Sequence, residues 1–493
     1  MSDVPDFDTA GLPEELSAVD QLMHRGEANP RTRSGIMGVE LLDVTPDWER
    51  YRARFEQASR KAIRLRQKVV MPSLPTAAAR WVVDPDFNLD FHVRRVRAPG
   101  AGTLREVFDF AELALQSPLD ISRPLWTATL VEGLPGGGAA NIVHMSHAVT
   151  DGVGSMEMFA NLYDLERDPA PRPSAPLPIP EDLSPNDLAR QGINALPKGI
   201  ANNVLDVTRG AAGLLGRMVR DPADAVGGVV DYVRSSRRVM TPAAPPSPVL
   251  RRRGLASRSE AIDIKFSDLH KASKAAEGSI NDAYLAALCG ALRRYHEAKG
   301  IPVASLPMAV PVNVRSDSDP AGGNRFAGVN IAAPIGVVDP RKRIQKVRAQ
   351  MTRKREERAI EVVGVVAPLL NLVPDPLLES MAGSVVNSDV QASNVPGPPV
   401  DTYIAGAKVL RHYGIGPLPG VAMMAVLISR SGWVTISTRY DRASINDPEL
   451  WARCLLDGFN EVLALGGDGR AIPASFELSD EQAESAVNGG AAQ

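Results

Sequence analysis

The chain has 493 residues, 44% of them hydrophobic and 23% charged, which suits a globular protein with room for two domains. Its net charge of -3 provides no global field for nucleic acid. Two cysteines, Cys289 and Cys454, far apart in sequence, exclude a disulfide scaffold and a cysteine-based zinc cluster and suit a reducing cytosol.

The start, Met1 to Asp6, is acidic and lacks the apolar segment of a secretory signal, so a cytoplasmic protein is expected. The pattern to about Leu165 mixes helix and strand. Ile142, Val143 and Met145 lead an apolar run toward Ser146 and His147, and after Gly152 the residues Val153, Met156, Ala160 and Tyr163 fall at helical spacing. This predicts a strand, a tight turn and a helix, with His147 and Asp151 in the turn. From Asp168 to Pro185 seven prolines preclude regular helix or central strand, which marks a linker. Beyond it Ile200, Val204, Val207, Ala211, Leu214 and Met218 predict an amphipathic helix, and Val226 to Val233 a second one after Asp221-Pro222. Both are studded with arginine, from Arg209 to Arg238. They suit either a cover packed on the domains or a surface resting on an anionic membrane or lipid droplet.

A second proline break, Pro242 to Pro248, precedes an alternating strand from Ala261 to Phe266. Asn281-Asp282 opens a helix with Leu285, Leu288, Cys289, Leu292 and Tyr295 on one face. Met308 to Val314 alternates as a strand ending at Arg315. The apolar stretch Val362 to Val373 is interrupted by Asn371 and is too short to span a bilayer, and no run of about 18 apolar residues occurs. Val421 to Ser429 and Trp433 to Tyr440 form a strand pair turning at Ser431-Gly432. After about Leu478 the chain is small and acidic, as a disordered tail would be.

Among seven histidines, His147 has the most informative surroundings: His144-Met145-Ser146-His147-Ala148-Val149-Thr150-Asp151-Gly152. An imidazole at a strand end can project into a cleft as a general base, and its ordinary pKa near 6.5 leaves it able to take a proton at neutral pH. Asp151 can bond to the turn backbone or to an arginine, and Gly152 tolerates backbone angles that a side chain would penalise. The spacing alone also fits a capping or core histidine. No histidine spacing suggests a metal ligand set.

The segment resembles the His-His-x-x-x-Asp-Gly signature of the bacterial wax ester synthase/diacylglycerol acyltransferase family, within the superfamily of thioester-dependent acyltransferases. Further stretches resemble that family in order: Leu16-Ser17-Ala18-Val19-Asp20, Phe91-His92-Val93, Pro118-Leu119-Asp120 with Arg123-Pro124-Leu125-Trp126, Asn281-Asp282, Pro311 to Arg315, Gly323-Asn324-Arg325, and Ser393 to Pro398. Together they cover residues 16 to 460. The first motif histidine is replaced by Ser146, and Thr127 stands where the family often has glutamate.

The resemblance implies an α/β (α+β) fold of two chloramphenicol-acetyltransferase-like subdomains with an active-site channel between them. The expected division is 1–166 for the subdomain carrying the motif, 167–258 for the linker with its helices, 259–476 for the second subdomain and 477–493 for the tail. It implies that His147 takes the proton from a diacylglycerol or fatty alcohol, whose oxygen attacks acyl-CoA, a co-substrate used without further cofactor. Asp151 and Gly152 would be structural, with Arg315, or else Arg325, as the aspartate's partner. Asn281, Asp282, Ser146 and Asn394 would position substrate. Asn281-Asp282 read bare is equally a helix cap, Asn394 to Gly397 equally a turn, and Trp126 a core residue. An acceptor of another kind, such as a glycolipid or polyketide hydroxyl, and a weakly catalytic lipid-binding homologue remain open at this point.

Overall fold

The computed structural model describes residues 12–74, 77–150, 152–195, 242–313, 326–356, 371, 375 and 388–474. In chain order the first half contains α1 (Ala18–Gly26), β1 (Gly35–Leu42), α2 (Trp48–Lys61), β2 (Gln67–Val70), β3 (Arg80–Val83), α3 (Leu89–His92), β4 (Val93–Arg97), α4 (Leu104–Gln116), β5 (Trp126–Glu132), β6 (Ala139–Ser146), α5 (Gly152–Met158) and α6 (Pro185–Ala195). The second half contains β7 (Ser257–Lys265), α7 (Phe266–Ala275), α8 (Ile280–Ala298), β8 (Leu306–Asn313), β9 (Phe326–Ala333), α9 (Pro340–Glu356), β10 (Val390–Pro396), β11 (Tyr403–Ile404), β12 (Ala407–Ile415), β13 (Met423–Arg430), β14 (Trp433–Asp441), α10 (Pro448–Leu463) and β15 (Ile472–Pro473).

Two mixed sheets organise these elements, with β2 and β3 forming a separate pair. One sheet runs β11-β12-β1-β6-β5-β4, the other β15-β7-β14-β13-β10-β8-β9. The predicted strand, turn and helix around His147 are β6 and α5, and the predicted strand pair is β13 and β14, joined at Ser431-Gly432 with φ of 42° and 79°. The mixed α/β architecture agrees with the expected fold. The helices 200 to 238, Arg315, Arg325 and the tail lie outside the described residues, as does Val362 to Val373 apart from Asn371.

Local chemistry explains the helices. In α4, Leu104, Val107, Phe108, Ala111 and Leu115 recur at steps of three and four and are all buried, while Thr103 and Glu106 close a capping box at its start. α8 is buried nearly all round, because α7, α9 and α10 surround it against the sheet. Gly458 makes the crossing of α10 on α8 possible: a Cβ there would stand 2.4 Å from the Ala291 nitrogen.

The strand β12 departs from the chain order. It comes from the second half yet pairs antiparallel with β1 in the first sheet, with Gly38 opposite Gly414 and Glu40 opposite His412. Side chains of the second sheet hold it from the other side. The Thr435 hydroxyl donates to the His412 carbonyl at 2.5 Å, Arg430 donates to the Val409 carbonyl at 2.6 Å, and Arg411 and Tyr413 both donate to Asp263, each at 3.0 Å. A further buried pair, Arg439 with Glu112 at 3.1 Å, joins β14 to α4. The two halves are therefore stitched together along β12.

Candidate active site

His147 follows directly on β6, and its backbone N–H donates to the Ser34 carbonyl at 3.1 Å. That bond fixes the turn to the residue before β1. A second bond set lies beneath it: the Ser146 hydroxyl donates to the Glu27 carboxylate at 2.6 Å, the Ser34 hydroxyl donates to the same oxygen at 3.1 Å, and Ser146 accepts the Ala148 N–H at 3.2 Å. Glu27 is fully buried, and burial raises its pKa although both serines and Arg33 oppose the shift. One carboxylate thus ties both sides of the histidine turn together.

The half-buried His147 lines a cavity. Its walls are mostly apolar: Ile36 and Met37 of β1, Val143 and Met145 of β6, Met156 of α5, Phe159, Leu162, Val395 of β10, Ile415 of β12, and Met424, Val426 and Ile428 of β13. Both sheets contribute, so the cavity lies between the two halves. Glycine shapes it. A Cβ at Gly414 would stand 2.9 Å from Val426 Cγ1 and 3.0 Å from Ile428 Cδ1, and one at Gly38 would stand 2.9 Å from His412 Nε2. Any side chain at either place would push β12 away from β13 or displace His412.

Polar groups are few in this lining, and they cluster. Glu40 accepts from the Tyr163 hydroxyl at 2.7 Å and from the Asn141 amide at 2.8 Å, and its carboxylate stands 3.4 Å from His412 Nδ1. Burial lowers the pKa of His412, with Arg430 acting the same way and Glu40 opposing, so the imidazole is neutral at pH 7. Ser155 and Ser393 complete the polar lining with His147.

The residues singled out in the sequence divide clearly. Gly152 opens α5, and Asp151 and Arg315 lie outside the described residues. Asn394 on β10 donates to Asn281 at 3.4 Å, so strand and helix bring these two amides together, though neither lines the cavity. Ser146 and Asp282 are reassigned from substrate positioning to scaffold. The Ser146 hydroxyl is fully buried on Glu27, and the Asp282 carboxylate bonds the Ser279 N–H at 2.8 Å and the Ser279 hydroxyl at 2.7 Å in the capping box of α8. Trp126 is core, as its surroundings suggested: it stacks on His92 at 4.7 Å and donates to the Leu65 carbonyl. Glu27, Glu40 and His412 escaped the sequence reading, since no local motif marks them. Among the described residues no three His, Cys, Asp or Glu side chains gather as a metal site.

Comparison with known proteins agrees with this architecture. The model of the wax ester synthase/diacylglycerol acyltransferase catalytic domain matches residues 12–284, and that of the family's C-terminal domain matches residues 322–463. A Mycobacterium tuberculosis H37Rv protein with the provisional name diacylglycerol O-acyltransferase is 66% identical over 94% of this chain and 95% of its own length. Among solved structures, the wax ester synthase/diacylglycerol acyltransferase from Marinobacter aquaeolei VT8 is similar in fold, with a TM-score of 0.61 at 20% identity, covering 92% of this chain and all of that one. The starter condensation domain of rhizomide synthetase, solved with C8-CoA, has a TM-score of 0.54 at 13% identity over 94% of this chain and 96% of that chain. With both family models matched in order and a relative at this identity over nearly its whole length, the chain belongs to the wax ester synthase/diacylglycerol acyltransferase family and is an acyltransferase.

Proposed function

We propose that this acyltransferase transfers the acyl group of acyl-CoA to diacylglycerol or a long-chain alcohol, making triacylglycerol or wax ester, with His147 as the general base. The observation that carries the reading is the half-buried His147 imidazole in the wall of a mostly apolar cavity lying between two sheets. An apolar cavity accepts long hydrocarbon chains, since each buried methylene is worth about 0.8 kcal/mol. His147 removes the hydroxyl proton as the oxygen attacks the thioester carbonyl. The tetrahedral oxyanion collapses, the carbon–sulfur bond breaks, and the departing thiolate takes the proton back from the imidazolium. No acyl-enzyme forms, and no cofactor beyond the co-substrate takes part. The relatives named as diacylglycerol acyltransferases and wax ester synthase support the choice of acceptors.

The test is acceptor-dependent release of CoA from palmitoyl-CoA, with diolein or hexadecanol supplied and the ester identified by mass. Release that rises with either acceptor and matches ester formed is the expected result. Release indifferent to both acceptors would set this reading aside.

A further inference from the structure

A second cavity stands beside the first, and its lining is strongly basic. Arg31 and Arg33 line it from the segment before β1, Arg253 from the segment before β7, and Arg439 from β14, against Asp441 as the lining carboxylate. Both halves of the molecule therefore supply its charge. The two cavities share a wall. Gly35 lines the basic one and Ile36 the apolar one; Gly416 and Pro417 line the apolar one, Leu418 and Gly420 the basic one. Arg439 donates to the Gly416 carbonyl at 3.3 Å, and the Ser34 carbonyl that holds the His147 turn sits between Arg33 and Gly35.

Part of the positive charge in this cavity is matched nearby: Arg253 stands 3.9 Å from the Asp389 carboxylate. Arg439 is paired with Glu112, and the Asp441 carboxylate accepts the N–H groups of Gly254 at 2.6 Å and Ala443 at 2.8 Å. Arg33 bonds to the carbonyls of Glu27, at 3.0 Å, and Gln116. Among the described residues neither Arg31 nor Arg33 forms an ion pair with a carboxylate. Burial lowers the pKa of Arg33, Glu27 opposes, and Arg439 adds to the lowering, so like charges are being held together. Such a cluster stores a preference for a multiply charged anion, which guanidinium groups bind through paired N–H donors.

We propose that this cavity binds the phosphate groups of the acyl-CoA donor, with the thioester passing the Gly35–Ile36 wall toward His147 and the acyl chain occupying the apolar cavity. The assignment rests on the acyl-CoA reading above, and it names the side of the site from which the donor enters.

The test is equilibrium binding of CoA, 3′-dephospho-CoA and pantetheine to the full chain and to R31A and R33A, followed by calorimetry without turnover. CoA should bind at least about tenfold more tightly than pantetheine, and each variant should weaken CoA by about threefold to tenfold with little change for pantetheine. Arg31 is exposed and its side chain supports no described bond, so R31A keeps the test decisive even if R33A fails to fold. CoA binding no tighter than pantetheine, or unmoved in R31A, would overturn the assignment. Arg31-dependent binding of phosphatidylglycerol vesicles with CoA affinity unchanged would also overturn it, in favour of an anionic lipid headgroup. Because binding is read directly, CoA bound through Arg31 by a protein that transfers no acyl group would count against the catalytic reading and not against the cavity.

Discussion

Ser146 stands where the family motif has its first histidine, and its hydroxyl is taken up by Glu27 rather than by the cavity. The carboxylate is buried, so removing either serine donor leaves part of its charge unsolvated, and such losses cost about 1–3 kcal/mol each. A double-mutant cycle of S146A and E27Q, read by denaturant unfolding, should show a coupling of about 1–3 kcal/mol. Strictly additive effects would mean that Glu27 does not brace the turn. His147 was legible in the sequence because its motif is contiguous. Glu40 and His412 were not, because they reach the site only through the pairing of β1 with β6 and β12, which leaves no trace at any single position, and Glu27, just past α1, meets the turn only through the Ser34 and Ser146 hydroxyls.

At the level of elements, periodicity and alternation marked α5, α8, β7, β8 and the β13–β14 pair, since three- and four-residue steps and alternating runs are local signals, while α2, α4, α9 and α10 were not read. Asn281-Asp282 marked the start of α8, but the cap itself is Ser279, whose hydroxyl accepts the Asp282 N–H at 3.2 Å while the Asp282 carboxylate reaches back. Replacing Asp282 by alanine should therefore lower stability by about 0.5–2 kcal/mol, measured as a shift in urea midpoint. A shift below that range would contradict the capping role. The position of β12 could not be read from the sequence: its alternating burial suits either sheet, and only the glycine pair Gly38 and Gly414, with the donors from β14, decides which one it joins.

Across the whole molecule, five buried histidines carry a shared consequence. Burial lowers the pKa of His24 and His92 to about 4 and of His144 to about 3, and it also lowers His296 and His412. Above pH 6.5 these side chains are neutral whether the chain is folded or not. Below it, the unfolded chain takes up protons that the folded one refuses, so stability falls as pH drops from 6.5 toward the folded values, by about 1.4 kcal/mol per pH unit for each histidine in its window. Melting temperature should be lower at pH 5 than at pH 7.5 by at least about 5 °C. A flat profile would show that these imidazoles titrate freely in the native state. The buried pairs Arg411–Asp263, from β12 of the first sheet to β7 of the second, and Arg439–Glu112, from β14 to α4, tie the two layers together, so acid unfolding is expected as one transition.

The most direct test of the catalytic reading compares His147→Ala with the wild type in kcat/KM for palmitoyl-CoA at saturating acceptor, on protein whose melting temperature is matched. A fall of about 10²–10⁴-fold is predicted, the contribution of one positioned proton acceptor. A loss smaller than about tenfold in a folded variant would contradict the assignment of His147 as the base.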